Sequence, residues 1–222
     1  MTALADLRDR IEVLLMDVAN DIYDTDTIDE GLRQAMDEYN LVSPLGMETV
    51  ITLPGDGHEI ALNGISGLIE VKSVWWPYDS DASQETWPPN KVKGFTLWWD
   101  DALPVLFLDI VDGSQPQQDD ELRLWYVKSH TVQDLDSGDA TTIPGVHLSA
   151  VISGAAGYAA MIRTIDLIEV AGTDMYSVGL LGVWGRKAVN DYKTFLERLR
   201  RQSVRSGVPW GQGWVLDKWD QK

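Results

Sequence analysis

The chain has 222 residues, 44% of them hydrophobic and none of them cysteine, and its formal net charge is −17. The lack of cysteine excludes disulfides, thiolate metal sites and cysteine nucleophiles, and the acidic balance disfavours general binding to nucleic acid. No apolar run approaches the length of a membrane span and no charged-then-apolar leader opens the chain, so we expect a soluble protein made without a secretion signal.

Charge is divided unevenly along the chain. Residues 1–140 contain 8 basic and 28 acidic side chains, whereas residues 141–222 contain 10 basic and 7 acidic ones. The basic excess is concentrated in Arg186–Arg205, which holds seven cations and two acids. Such a segment suits an acidic partner surface or the acidic half of a neighbouring copy, although a run of charges is as often a solvated helix face.

Two amphipathic helices are predicted at the N-terminus. Apolar residues at helical spacing indicate the first one: Leu4, Leu7, Ile11, Leu14, Leu15 and Val18. Thr27 and Glu30 match a T-x-x-E capping box at the start of the second helix, and Pro44 and Gly46 end it. Its apolar stripe is Ile28, Leu32, Ala35, Met36 and Tyr39. We therefore expect a helical hairpin.

From Glu48 the hydrophobic period becomes that of strands. A Pro-Gly-Asp-Gly turn between two apolar runs indicates a hairpin, and further runs follow between polar turns. The predicted strands are Thr49–Leu53, His58–Leu62, Leu68–Trp76 ending at Pro77, Phe95–Trp99, Val105–Val111 and Leu122–His130. Short strands separated by turns predict an antiparallel sandwich or a small barrel.

Helices resume near Val146. Ser149–Ala160 consists mostly of small residues, which let neighbouring backbones approach closely. After a break near Gly172, the last helix is predicted over Tyr176–Arg205, or alternatively from about Trp184 onward. It would cross the small-residue helix at three regularly spaced glycines, Gly179, Gly182 and Gly185. Its predicted apolar face is Trp184, Ala188, Tyr192, Phe195, Leu196 and Leu199.

The order of elements predicts an α+β fold, a helical bundle into which an antiparallel β domain is inserted. We expect residues 1–46 to form the helical hairpin and 47–140 the β domain. Residues 141–205 would return to the helical domain, and 206–222 would be an extended tail.

Motifs of known chemistry are missing from the sequence. It contains no Walker loop, no dinucleotide-type glycine fingerprint, no H-E-x-x-H pair and no G-x-S-x-G elbow. The acidic residues from Asp109 to Glu121 fail the spacing of a calcium loop and fit a hairpin turn better. Among 35 acids some carboxylate pair always exists, so a glycosidase-like pair is no argument for an enzyme. We predict no catalytic, cofactor-binding or metal-binding residue.

The β domain is rich in tryptophan. Adjacent residues of a strand point to opposite faces, so one member of Trp75/Trp76 and one of Trp98/Trp99 should face outward. We rank a protein interface first for these side chains, burial second, and stacking on sugar rings third.

The segment Ser206–Lys222 carries three tryptophans among glycines and a proline, which forbid a stable helix. Large aromatic side chains on such a tail expose costly apolar surface unless they dock, either on a partner or back on their own domain. They are Trp210, Trp214 and Trp219.

The organisation resembles that of the head-to-tail adaptor (connector) proteins of tailed bacteriophages. The family's helical hairpin is matched by Leu7, Arg10, Ile11, Leu14, Leu15 and Asp17, then by Leu32, Ala35, Tyr39 and Ser43-Pro44. Its return to helices is matched by Val151–Ala156, and its final helix by Tyr192–Arg201. Simple adaptors lack a large β insertion, so a contact with the nozzle, a contact with the capsid, and decoration all stay open as its role.

The resemblance implies a non-enzymatic virion protein of the head–tail junction, made in the host cytoplasm. Copies, commonly twelve, would form a ring between the portal ring and a tail or nozzle protein. DNA would pass through without specific binding, and no cofactor or membrane would be involved. The residues expected to dock on the portal are Arg198, Arg200, Arg201, Arg205, Trp210, Trp214 and Trp219.

Two other classes remain open. A carbohydrate-binding or other adhesion module would use Trp75, Trp76, Trp98 and Trp99. A glycan hydrolase would need two paired carboxylates, and no polar and aromatic cluster in the sequence is tied to such a pair, so it is the weakest of the three hypotheses.

Overall fold

The computed structural model describes residues 3–19, 22–80, 91–110, 113–169 and 174–205, with the side chains of residues 169 and 203–205 excepted. The fold is α+β and divides into two compact units. A helical unit is formed by the chain up to Pro44 together with residues 130–205. A β unit is formed by Leu45–Ser129.

Four helices are described in the helical unit: α1 (Leu4–Leu15), α2 (Thr25–Val42), α3 (Gly145–Glu169) and α4 (Met175–Arg205). The apolar helix α3 is central, because α1, α2 and α4 all pack against it. The stripe predicted for α2 is confirmed, since all five of its residues are buried in the shared core. The last helix begins at Met175, which excludes the alternative start near Trp184.

Small residues set the distance between α3 and its neighbours. A Cβ added at Gly31 of α2 would lie 2.6 Å from the carbonyl oxygen of Ala155 on α3. A Cβ at Gly185 of α4 would lie 3.0 Å from the carbonyl oxygen of Gly157. The predicted crossing is thus confirmed at Gly185 and at Gly182, where an added Cβ would lie 3.2 Å from Cγ2 of Thr164 on α3. A Cβ added at Gly179 would meet no atom of the described residues within 4 Å.

The capping box predicted for α2 is wrong. The helix begins at Thr25, three residues earlier than the box requires, and its N-cap is Asp24. Hydrogen bonds from the Thr27 side chain and from its backbone N–H, the latter 2.7 Å from Asp24 Oδ1, lower the pKa of Asp24. Thr27 is therefore a donor to the N-cap rather than the N-cap itself, because an aspartate was already available three residues before it.

The β unit consists of β1 (Leu45–Thr52), β2 (Glu59–Ala61), β3 (Leu68–Tyr78), β4 (Gly94–Asp100), β5 (Leu103–Asp109) and β6 (Glu121–Lys128). They form two antiparallel three-stranded sheets, β1-β6-β3 and β2-β5-β4. Side chains of both sheets share one core, including Val74 and Leu124 from the first and Leu106 and Leu108 from the second. β3 continues past Pro77, which it tolerates because β3 is the edge strand of its sheet.

The boundary between the units differs from the predicted one. Residues 130–144 belong to the helical unit, where Val132, Leu135 and Ile143 join its core. Arg33 of α2 also pairs with Asp136 of this loop at 2.8 Å. The polar composition of the loop conceals these contacts, so the sequence alone placed it in the β domain.

Helix α3 corrects the expectation that no apolar run approaches the length of a membrane span. Within the described residues, Gly145–Ile168 of α3 is long and apolar enough to cross a membrane, judged by length and composition only, with 50% of its apolar window buried inside the protein. The helix packs against three others. Its apolar character is that of the core helix of a bundle.

Candidate interaction surfaces

Helix α4 has one buried stripe and one outward stripe. The buried stripe faces α3 and consists of Val178, Gly182, Gly185, Val189, Tyr192 and Leu196. At 100° per residue, eight exposed residues lie within roughly 40° of the opposite direction. This outward stripe is Tyr176, Leu180, Val183, Lys187, Asp191, Thr194, Arg198 and Arg201.

The first half of the outward stripe is apolar. Tyr176, Leu180 and Val183 are 74%, 54% and 56% exposed. The adjacent Trp184, predicted to be part of the buried face, is 39% exposed instead. The α3-facing side of the helix is already filled by glycines and valines, so these larger side chains have no place in the core.

The second half of the outward stripe carries two of the predicted docking cations, Arg198 and Arg201, which are exposed on the last turns of α4. Arg200 is exposed on the same turns but lies outside the stripe. Arg201 lies 3.5 Å from the Glu197 carboxylate one turn earlier, an exposed pair that leaves its guanidinium accessible. Arg205 is the last residue of α4, and its side chain is outside the described part of the structure.

The three tail tryptophans, Trp210, Trp214 and Trp219, lie outside the described residues, as does Trp87. Their predicted role in docking therefore stays a prediction.

Helix α1 also presents an outward stripe, with charges opposite in sign to those of α4. Leu4, Leu7 and Ile11 are buried, and Asp6, Asp9 and Val13 lie on the exposed side. Val13 is 60% exposed, and Met16, which caps the helix in the left-handed region with φ 57°, is 91% exposed. The predicted apolar face was too wide, because Leu14 and Val18 are exposed as well.

Two of the β-unit tryptophans are engaged within the unit. Trp76 is in the core and donates a hydrogen bond of 3.2 Å from Nε1 to the Asp120 carboxylate. Trp75 is on the outer face, with its ring centroid 4.1 Å from that of Trp125. The Arg123 guanidinium lies over both rings, at 5.6 Å and 4.5 Å, and pairs with Glu48 at 2.9 Å. Trp75 thus belongs to an internal cation–π cluster.

The other tryptophan pair is more accessible. Trp98 is on the outer face of the second sheet, where it stacks with Phe107 at a centroid distance of 5.9 Å. Trp99 points to the core side but is 52% exposed, because it is paired with Pro104 near the end of the β4–β5 hairpin. The prediction that one member of this pair faces outward is confirmed by Trp98, but alternation along the strand could not show that Trp99 would be exposed as well.

A buried aromatic cluster brings together two histidines that are distant in sequence. The Tyr39 hydroxyl lies 2.7 Å from Nδ1 of His147, and the Tyr39 ring is 5.2 Å from the His130 ring. Burial lowers the pKa of His130, whose Nδ1 also contacts Thr142 Oγ1 at 3.0 Å. No sequence motif joins these residues. The cluster lies in the core of the helical unit, and the polar contacts described for it join residues of that unit to one another. Such an arrangement is typical of residues that stabilise a fold rather than of a binding site.

The structure brings no set of catalytic or metal-binding groups together in its described part. Within those residues, no group of three or more potential metal-ligating side chains is close enough to hold an ion. Two acids of the predicted hairpin turn have partners within the β unit: the Asp120 carboxylate accepts from the backbone N–H of Gln117, and the Glu121 carboxylate accepts from Ser80. These carboxylates therefore stabilise the β unit.

No protein-family model matches this chain, and no curated protein matches its sequence.

Proposed function

We propose that this chain is a structural virion protein, a head-to-tail adaptor that assembles as a ring beneath the portal of a tailed bacteriophage. The ring would link the portal to a tail or nozzle protein and leave a channel for DNA. The observation that carries the proposal is the outward stripe of α4, which is exposed in the described part of the structure and changes from apolar to mainly cationic along one helix.

The apolar half of that stripe has an energetic consequence. Burying one large apolar side chain contributes about 1.5–3 kcal/mol. Tyr176, Leu180 and Val183 together therefore offer several kcal/mol to any partner that covers them, and monomeric proteins rarely leave such a row uncovered. The proposed partner for this half is another copy of the chain.

The cationic half would serve the portal. Arg198, Arg200 and Arg201 are directly before the segment that contains Trp210, Trp214 and Trp219. Charges would set the register of docking and raise the association rate, whereas the aromatic side chains would supply most of the binding energy. The excess of acids elsewhere suits a channel that repels DNA phosphates rather than binding them.

The test is native mass spectrometry of the full chain and of a truncation after Arg205, each with the portal protein of the same phage genome. We expect the full chain to form a ring-sized complex with the portal and the truncation to lose it. The double variant Arg198→Glu, Arg201→Glu should bind the portal more weakly than the native chain. This loss of affinity should be greater at low salt than at high salt, because salt screens the charges. A full chain indifferent to the portal would contradict the proposal.

The alternative is a carbohydrate-binding or other adhesion module in the β unit. Trp98, stacked with Phe107 on an outer sheet face, and the exposed Trp99 favour it. Trp75 and Trp76 do not, because both are packed within the unit. Quenching of tryptophan fluorescence by added glycans, abolished by Trp98→Ala and unaffected by removal of the tail, would support this alternative.

A further inference from the structure

We infer that the outward stripe of α4 in one copy packs antiparallel against the outward stripe of α1 in the next copy. The inference rests on the proposed ring and identifies the two surfaces that form it. Because the two stripes are different surfaces of the same unit, the contact is head-to-tail, the kind that closes into rings.

The two stripes match in the order of their properties. Along α4 the order is apolar and then cationic, from Leu180 and Val183 to Lys187. Along α1 the order is acidic and then apolar, from Asp6 and Asp9 to Val13 and Met16. An antiparallel arrangement therefore places apolar residues on apolar residues and Lys187 on a carboxylate.

One register matches the apolar residues and brings Lys187 to Asp9, and it also brings Asp191 of α4 level with Asp6 of α1. With Val183 opposite Val13, the residue one turn further along α4 is Lys187, and the residue one turn back along α1 is Asp9. In the other direction, Leu180 comes opposite Met16. Arg10, the basic residue of α1, points to its own α3, where its Nη2 donates to Ser149 Oγ at 3.3 Å. It therefore does not oppose the cations of α4.

The same register explains why α4 is so much longer than α1. Helix α1 has 12 residues and α4 has 31. Arg198 lies 15 residues after Val183, whereas α1 continues for fewer than 10 residues before Val13. The last cations of α4 therefore extend past the neighbouring copy and remain for the portal.

The distribution of charge favours a second copy of the chain over a lipid surface as the partner that covers the outward stripe of α4. Residues 1–44 contain 11 acids and 3 bases, whereas the part of α4 level with α1 in this register, residues 183–192, contains Arg186, Lys187 and one acid, Asp191. An anionic membrane would be repelled by the first set, whereas a copy of this chain offers it these two cations.

The experiment uses the absence of cysteine from the native chain. Full-length Val13→Cys and Val183→Cys are mixed with the portal under assembly conditions and treated with a short bis-maleimide. We expect a covalent dimer that requires both variants, in yield several-fold above either variant alone. Val13→Cys with Arg198→Cys is the out-of-register control and should give little product. Lys187→Glu should reduce assembly several-fold, and Asp9→Lys in the same chain should restore it.

Three results would overturn the inference. Cross-linking of either variant with itself would indicate a two-fold contact. A complex of ring mass with no cross-link between Val13 and Val183 would exclude this interface while leaving the proposed function intact. A chain that stays monomeric with the portal and floats with zwitterionic vesicles would assign the apolar half to lipid, and both proposals would fail.

Discussion

The ring of Tyr192 on α4 covers Gly154 on α3 so closely that a Cβ at residue 154 would lie 2.6 Å from the ring's Cδ1 atom. The Tyr192 hydroxyl donates a hydrogen bond of 2.6 Å to the carbonyl oxygen of Ala35 on α2. One side chain thus joins three helices and fixes the rotation of α4 about its axis. That rotation leaves Tyr176, Leu180 and Val183 on the outside.

Gly154→Ala should destabilise the helical unit by about 1–3 kcal/mol, because the added methyl group meets a buried ring held at its far end by a hydrogen bond. Gly179→Ala is the matched control. Gly179 is also within a helix, but a Cβ added there meets no atom of the described residues within 4 Å. The substitution should therefore stabilise the protein by about 0.5–1 kcal/mol. Urea unfolding followed by far-ultraviolet circular dichroism measures both. Equal effects of the two substitutions would contradict the close contact.

Tyr192→Phe removes the hydroxyl and keeps the packing of the ring on Gly154. The expected loss is about 0.5–1.5 kcal/mol, since one internal hydrogen bond to Ala35 disappears while its carbonyl keeps its place in α2. The same unfolding experiment applies, with Tyr176→Phe as the control on the exposed stripe, where we expect no change. A loss as large as that of Tyr192→Ala would mean that the hydroxyl rather than the ring holds α4.

Asp24→Ala should cost about 1 kcal/mol, because the backbone N–H of Thr27 loses its acceptor at the start of α2. Glu30→Ala should be nearly neutral, because the capping box that would have used this side chain does not form. Because the pKa of Asp24 is lowered in the folded protein, the contribution of this carboxylate to the free energy of unfolding depends on pH. The contribution is complete above the ordinary carboxyl pKa and is lost as the pH falls through the lower folded value. The stabilities of Asp24→Ala and Glu30→Ala should therefore converge in acid.

His130 makes the helical unit sensitive to mild acid. Burial lowers the pKa of His130 below its ordinary value of 6.5, so the unfolded chain takes up the proton before the folded one does. Stability should therefore fall as the pH drops from about 6.5 and level off once the folded group is also protonated. Tyr39, Thr142 and the nearby His147 surround the ring. His130→Asn should flatten this part of the profile, measured as melting temperature against pH, and an unchanged slope would contradict the assignment.

The sequence predicted the elements that depend on local periodicity. The apolar stripe of α2 and the alternation of Trp75 and Trp76 are each set by residues close in sequence. The cap of α2 was mispredicted because two local motifs competed for the same turn. The loop around Leu135 was misplaced because its burial depends on contacts with α2, about 100 residues away.

The candidate surfaces were predictable in part for the same reason. Seven cations in one helical run are visible in the sequence, and so is the charge difference between the two ends of the chain. The outward position of Leu180 and Val183 was not visible, because helix α4 is apolar on both sides at that level. Only the packing of Gly182 and Gly185 on α3 shows which side is left uncovered.

The measurement that tests the account most directly is the mass of the full chain and of Leu180→Asp in the presence of the portal, by light scattering or native mass spectrometry. Leu180 is exposed, so the substitution should leave the melting curve of the isolated chain unchanged. The account predicts a ring-sized complex for the native chain and a loss of that complex for Leu180→Asp. A native chain that remains monomeric on the portal, or a variant that forms the same complex, would contradict it.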